Sequence, residues 1–411
     1  MTPTYAPEDV FVIGAGPAGI ATAYALQKAN ISYKVIDRTE QIGNTWANLY
    51  PSLTLNTSRY FSHMPEKPFP TEYGIFPSAK QYHDYLLEFV AEHNFNIQLG
   101  VEVHRVSPVG DYWQVESSEG TSLYKTVISA TGIWNNPITP NIEGLDSFAG
   151  DCFHAHDFRD TQQVTGKRVL VVGNGPSGID ISVASGDVAQ KTYIAIRSGV
   201  KMFRRYPLGI PKHAWLMLGD MLPKAWCRKL MKWVGRFDYG DTSAYGLNPP
   251  PPNSGGMTAY AGNDLLNAVK AGKVNPVSAP IKFEEHTATL ADGQEIEIDT
   301  VIMATGYYPV LHQYLDIELQ FSTEPWQAKS SCDWELGPNG QRGFPLRDTS
   351  SHPNGRQILG HTGLYIVGTF YKGKGAMYNF NVEAQVASEQ IKDYLRTFDK
   401  SHPILTPEQS L

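Results

Sequence analysis

An α/β fold built from two similar halves follows from three features of this sequence. A strand, glycine turn and helix phrase occurs twice, at "VFVIGAGPAGIATAYAL" and at "RVLVVGNGPSGIDISVA". A second phrase closes each copy, "TVISATGIWNNP" and then "TVIMATGYYP". The third feature is composition: 411 residues, 41% hydrophobic and 18% charged, suffice for more than one core. Two dinucleotide-binding, Rossmann-like units accommodate all three.

In the first copy an apolar, β-branched run leads into Gly14-x-Gly16-x-x-Gly19 and an alanine-rich helical pattern. Glycine permits the tight turn and the close approach of a pyrophosphate. The helix opening at Pro17 and Ala18 offers free amides and the positive end of its dipole. The next strand, "SYKVIDR", ends in Asp37 and Arg38, roughly 20 residues on, where a carboxylate can hold a ribose hydroxyl. In the second copy Gly173, Gly175 and Gly178 enclose Pro176 and Ser177, and the strand "TYIAIRS" ends in Arg197 and Ser198 instead. A guanidinium and a hydroxyl suit a 2′-phosphate, which a carboxylate would repel, so this site favours NADPH over NADH. The plainer alternative for Arg197 is a solvated strand-end cation; Lys201 and Arg204 rank behind it.

The two Ala-Thr-Gly phrases carry Thr131 and then Thr305 and Gly306, each leaving a buried strand for a proline-bearing loop where the chain can cross between domains. Those residues, with Thr45, Trp46 and Val103 in the first half, count among the candidate cofactor contacts. Near the end, "GLYIVGTFYKGKGAMYNFNVEAQVASEQI" supplies a strand, a Gly/Lys loop and a helix from about Ala376, able to aim its first amides at a flavin ring. The organisation expected is a discontinuous domain, 1–160 with 300–411, and an inserted domain, 161–299. The latter carries a helical insertion at about 212–240. There "HAWLMLGDMLPKAWCRKLMKWVGRF" interleaves aromatics with Lys and Arg, a pattern that can lie on a membrane or cover a tunnel. Asp220, Pro223 and Gly235 break it into short helices, expected to pack on the inserted domain. The irregular region 312–360, with Trp326 and Trp334, reads as loops with short strands.

A net charge of -7 and a pI near 5.9 argue against a nucleic-acid partner. Cys152, Cys227 and Cys332 form no C-x-x-C, so neither a disulfide framework nor a dithiol centre is expected, and a cytoplasmic location fits. No stretch reads as membrane-spanning. The run "FAGDCFHAHDF" mixes two histidines, a cysteine and two acids but lacks zinc spacing, so no metal is expected.

That run is Phe148-x-Gly150-x-x-x-His154-x-x-x-Phe158, and it resembles the fingerprint F-x-G-x-x-x-H-x-x-x-(Y/F) of the class B flavin-dependent monooxygenases. It lies between the two glycine motifs, as that family places it, and the resemblance extends over nearly the whole chain. Phe158, where the Baeyer-Villiger branch usually has Trp, makes the chain more similar to the flavin-containing monooxygenases. "LYPSLTLNTSRYFSHMPEKPFP" resembles their segment whose asparagine, here Asn56, lies beside flavin and nicotinamide. "GDTSAYGLNPPPP" and "DLLNAVKAGKVNPV" resemble the plant YUCCA-type enzymes, which decarboxylate an indolic 2-oxo acid and tend to lack that asparagine. Asn44 departs from a glycine common in the family.

The resemblance implies FAD in the first unit and NADPH in the second. It implies a C4a-(hydro)peroxyflavin that passes one oxygen atom of O2 to a small soft nucleophile, an amine or sulfide. Baeyer-Villiger oxidation and oxidative decarboxylation of a 2-oxo acid are the alternatives. Asn56 is the catalytic candidate, since a neutral amide both donates and accepts without titrating; the bland reading of "LNTSR" is a side-chain-stabilised turn. Phe148, Gly150, His154 and Phe158 are expected to act as a hinge. A homodimer is the assembly considered.

Overall fold

The computed structural model describes residues 9–134, 136–202, 205–221, 223–249, 260–261, 263–308, 311–322, 335–336, 342–369 and 375–401. Two five-stranded parallel sheets organise it. The first runs in the order Leu364–Ile366, Thr126–Ser129, Val10–Ile13, Tyr33–Ile36, Ile97–Gln98. The second runs Asn275–Val277, Lys191–Ala195, Arg168–Val172, Thr300–Met303, Asp151–His154. In each sheet the strand entering the glycine motif is central, flanked by the strand that follows it and by the strand of the Ala-Thr-Gly phrase. Val10–Ile13 and Thr300–Met303 are buried at every position. Parallel strands covered on both faces need such unbroken apolar runs, which is why they read so clearly.

Helix Pro17–Lys28 starts with proline at its first turn, where a missing N–H costs nothing. It packs its alanine face on the last helix, Ala376–Ser401, which buries Ala376, Phe380, Ala384, Ala387, Ile391 and Leu395 at three- and four-residue spacing. A buried ion pair fixes that last helix: Arg356 Nη1 lies 3.3 Å from Glu383 Oε1, with side chains 2% and 3% exposed. Glu383 Oε2 also accepts from the Gly368 amide at 2.6 Å. The loop leaving Leu364–Ile366 is thereby tied to the helix it precedes.

The hydrogen-bonded ladders move the expected domain limits. Asp151–His154 pairs in parallel with Thr300–Met303, Asp151 opposite Thr300 and His154 opposite Met303. Both segments therefore belong to the second sheet, although 1–160 and 300–411 assigned them to the first domain. The edge strand before the second glycine motif explains the shift. Each unit also contains an antiparallel three-stranded sheet just ahead of its Ala-Thr-Gly strand: Val103–Val109, Tyr112–Ser117 and Gly120–Tyr124 in the first, Pro280–Glu284, Thr287–Leu290 and Glu295–Glu297 in the second. Their signals are alternating runs around the turns "VGDY" and "ADGQ".

The insertion forms two helices, Lys212–Asp220 and Lys224–Tyr239. The longer helix buries Val234 and packs Tyr239 against the core of the inserted domain, while Trp226, Trp233 and Phe237 are 54–66% exposed. Arg204, Trp326 and Trp334 lie outside the described residues.

Candidate functional site: two glycine cradles and the joint between them

The glycines divide by what surrounds them. At Gly14 (φ +112°) an added Cβ would stand 2.7 Å from the Ala130 carbonyl oxygen, and at Gly19 1.8 Å from that of Gly14. At Gly16 it would meet nothing within 4 Å. The second unit repeats this: 2.5 Å from Ala304 O at Gly173, 2.0 Å from Gly173 O at Gly178, open space at Gly175. Outer glycines thus serve packing, while the middle one keeps a space that a phosphate could fill. Gly16 and Gly175 cap their helices with no side-chain hydrogen bond, and neither first turn, with Pro17 and Ala18 or Pro176 and Ser177, holds an acid. The amides beside that space are free for an anion, so the residues fit a pyrophosphate in both units.

Asp37 follows directly on the strand Tyr33–Ile36. Its Oδ2 accepts from the Ala15 amide at 2.8 Å, and Oδ1 from the amide and hydroxyl of Thr39 at 2.9 and 2.7 Å. The carboxylate therefore sets the glycine loop as well as bordering it, and its remaining lone pairs are available to a ribose. Arg38 is exposed; Val103 is half-buried beside Val101, whose amide donates to the Asp37 carbonyl at 2.9 Å. Thr131 lies 3.5 Å from both the Ser129 and Tyr314 hydroxyls.

Gly43 takes the left-handed turn (φ +62°) before the short helix Asn44–Ala47. Asn44 is thus in right-handed helix, its Oδ1 accepting from Gln41 and Asn48, which is why it can replace a glycine there. Thr45 is half-buried and Trp46 is 9% exposed, its ring 4.4 Å from that of Tyr82. The structure packs Trp46 into the core.

Asn56 is exposed, on a loop that rides over the start of the last helix. A Cβ on Gly375 would strike Thr57 Cγ2 at 2.3 Å, Asn381 Nδ2 donates to His63 O at 2.8 Å, and the rings of Phe61 and Tyr378 meet edge-on at 6.0 Å. Thr57, Phe61 and His63, on the loop that follows Asn56, are thus packed against the start of the last helix.

In the second unit Arg197 is exposed and forms no ion pair among the described residues; Ser198 is half-buried. Sequence reading missed Asn174, inside the second glycine motif, whose Nδ2 donates to the Gly199 carbonyl at 2.8 Å. It holds the turn bearing Arg197 and Ser198 against the glycine loop. Asp180, four residues into helix Pro176–Gly186, was also missed. Burial raises its carboxyl to about 6, with Arg205 opposing the rise.

The two Ala-Thr-Gly phrases end on each other. Asn136–Pro137 pairs antiparallel with Tyr307–Tyr308, the Ile138 amide donates to Gly306 O at 2.9 Å, and Thr305 Oγ1 donates to Ile138 O. Both crossings between units therefore share one short ribbon. The fingerprint closes around it. His154 is 5% exposed, accepts from the His156 amide at Nδ1 (3.0 Å), and meets the Tyr307 ring edge-on at 4.9 Å. Nε2 turns toward the Gly306 carbonyl without completing a hydrogen bond. Burial holds the imidazole pKa below its ordinary value. Phe148 packs on Phe283 at 5.9 Å, and Gly150 passes so close to Asp299 O that a Cβ would lie 2.3 Å away. Phe158, 1% exposed, sits in a cluster that joins Tyr50 of the first unit to Val169, Val171 and Ile302 of the second sheet. His154 and Phe158 thus stand at the joint, whereas Phe148 and Gly150 lie at the other end of strand Asp151–His154, packed within the second unit.

A family model described as pyridine nucleotide-disulphide oxidoreductase matches residues 11–204. A probable indole-3-pyruvate monooxygenase, YUCCA3 of Arabidopsis thaliana, is 29% identical over 381 residues, 88% of this chain and 82% of the relative. A flavin-containing monooxygenase from Stenotrophomonas maltophilia superposes with a TM-score of 0.69 at 23% identity, covering 94% of this chain and 98% of that one. The chain is similar to flavin-dependent monooxygenases over most of its length. A cyclohexanone monooxygenase from Rhodococcus sp. Phi1, solved with NADP+, shares this chain's fold at a TM-score of 0.69 and 17% identity over 98% of this chain and 88% of that one. Among the described residues no helix is long and apolar enough to cross a membrane, and no group of three His, Cys, Asp or Glu could hold a metal.

Proposed function

We propose that this monooxygenase holds FAD in the first cradle and NADPH in the second, and transfers one oxygen atom of dioxygen to a small soft nucleophile, an amine or sulfide. The chemistry supplied by the flavin, when bound, is acceptance of a hydride from the nicotinamide and activation of dioxygen. The rest falls to the chain's own residues. The free amides after Gly16 and Gly175 hold the two pyrophosphates, Asp37 the first ribose, and Arg197 with Ser198 the 2′-phosphate. Asn56 donates and accepts hydrogen bonds beside the reacting centre at constant charge, and the joint around His154 keeps the units closed against water.

The observation that carries the heteroatom reading is Asn56, exposed and without a hydrogen-bond partner among the described residues, next to Thr57, which packs at the start of the last helix. A second reading, oxidative decarboxylation of a 2-oxo acid, is favoured by the YUCCA relatives at 27–29% identity. Products from a panel of an amine, a sulfide, a ketone and a 2-oxo acid separate them. The amine N-oxide or sulfoxide should dominate, and Asn56→Ala should cut the ratio of product to NADPH consumed about tenfold or more, with the balance appearing as hydrogen peroxide. Carbon dioxide release from the 2-oxo acid, faster than any heteroatom product, would transfer the assignment to the second reading. Unchanged coupling in the variant would remove Asn56 from it.

A further inference from the structure

Helices Lys212–Asp220 and Lys224–Tyr239, with the turn at Met221 between them, present Met217, Leu218, Met221, Trp226, Trp233 and Phe237 to solvent at 45–83% exposure. At about 100° per residue Trp226, Trp233 and Phe237 fall within about 40° of one another, a single stripe along the longer helix. The rings of Trp233 and Phe237 touch at 4.6 Å, and Lys229 Nζ lies 5.8 Å from the Trp226 ring centroid. Arg236 is exposed on the side where Lys229 lies. Val234, on the other side, is fully buried and seats the helix. Aromatic surface left outward by a seated helix marks an interaction face.

Charge selects the occupant. In this 16-residue helix Lys224, Arg228, Lys229, Lys232 and Arg236 oppose one acid, Asp238, whereas the whole chain is at -7. A two-fold contact with a second copy would set this basic run against itself. A layer of anionic headgroups over acyl chains offers the opposite charge and an apolar bed together. We propose that this face is a peripheral docking surface for anionic lipid. Its aromatic and methionine side chains enter the boundary between headgroups and acyl chains, while Lys229 and Arg236 pair with lipid phosphates. The negative remainder of the molecule is repelled by the same surface, which orients the docked enzyme. The contact is interfacial and needs no spanning helix.

The test is co-sedimentation of the FAD-loaded full chain with vesicles of phosphatidylcholine alone or mixed with phosphatidylglycerol. Binding is expected only to the mixed vesicles and should weaken as salt rises. Combined Trp226→Ser, Trp233→Ser and Phe237→Ser should lower the partition coefficient about tenfold or more, with NADPH oxidation and circular dichroism unchanged. Lys229→Glu with Arg236→Glu, which keeps every aromatic, should lower it on mixed vesicles as well. The proposal is overturned if the wild-type chain ignores mixed vesicles, if both variants bind as it does, or if the triple substitution only splits a dimer.

Discussion

Arg197 and His154 place two different demands on single side chains. Arg197, anchored through the Asn174 bridge to Gly199, is assigned in the proposed function to the 2′-phosphate, the part of the nucleotide that distinguishes NADPH from NADH. A charge-assisted hydrogen bond to that phosphate is worth roughly 1.5–3 kcal/mol. Arg197→Ala should therefore lower kcat/KM for NADPH about 10- to 100-fold in steady-state assays and leave NADH within about twofold; equal losses with both would return Arg197 to a solvated cation. His154 is held neutral by burial. The unfolded chain takes up that proton near the ordinary value of 6.5, while the folded joint resists it. Below that pH the unfolded state binds more protons, so the stability His154 allows is complete above about 6.5 and falls as pH drops below it. Urea midpoints from about pH 5 to 8 should show this slope, at most about 1.4 kcal/mol per pH unit, and His154→Gln should flatten it. A variant with the wild-type slope would contradict the assignment.

The two glycine elements make a sharper contrast, because identical substitutions should fail in opposite ways. Gly16 and Gly175 have φ of -79° and -67°, which any residue can adopt, and open space at the Cβ position. Gly16→Ala and Gly175→Ala should keep the stability of the empty chain, or raise it by up to ~1 kcal/mol, yet weaken the flavin and the nicotinamide respectively. Gly19→Ala and Gly178→Ala force a Cβ onto backbone oxygen at 1.8 and 2.0 Å and should cost about 1–3 kcal/mol of stability. Differential scanning fluorimetry with cofactor titration checks both. These elements were legible in the sequence because local backbone geometry imposes residue type: a tight turn needs glycine, and a doubly covered strand needs an unbroken apolar run. Asn56 and the fingerprint were legible only through resemblance. The rest depended on distant partners. His154 meets Tyr307, and Arg356 meets Glu383, and nothing in either local stretch names the other. The exposed aromatic stripe of the insertion was not legible either, since periodicity reports which residues share a face and not what covers it.

At the scale of the molecule, two glycine cradles, a shared ribbon and one interfacial cluster tie the two units together. A disulfide-reductase reading of the same paired domains lacks its chemistry here, since Cys152, Cys227 and Cys332 are too far apart in sequence for a C-x-x-C pair. Oxygenation instead requires that each NADPH consumed deliver one atom of dioxygen to the product. Turnover of an amine or sulfide under isotopically labelled dioxygen, with NADPH counted and the product weighed by mass spectrometry, measures this directly. One labelled oxygen atom per product, with NADPH and product near one to one, is the expected result. Product oxygen drawn from water, or NADPH consumption that no substrate stimulates, would contradict the account.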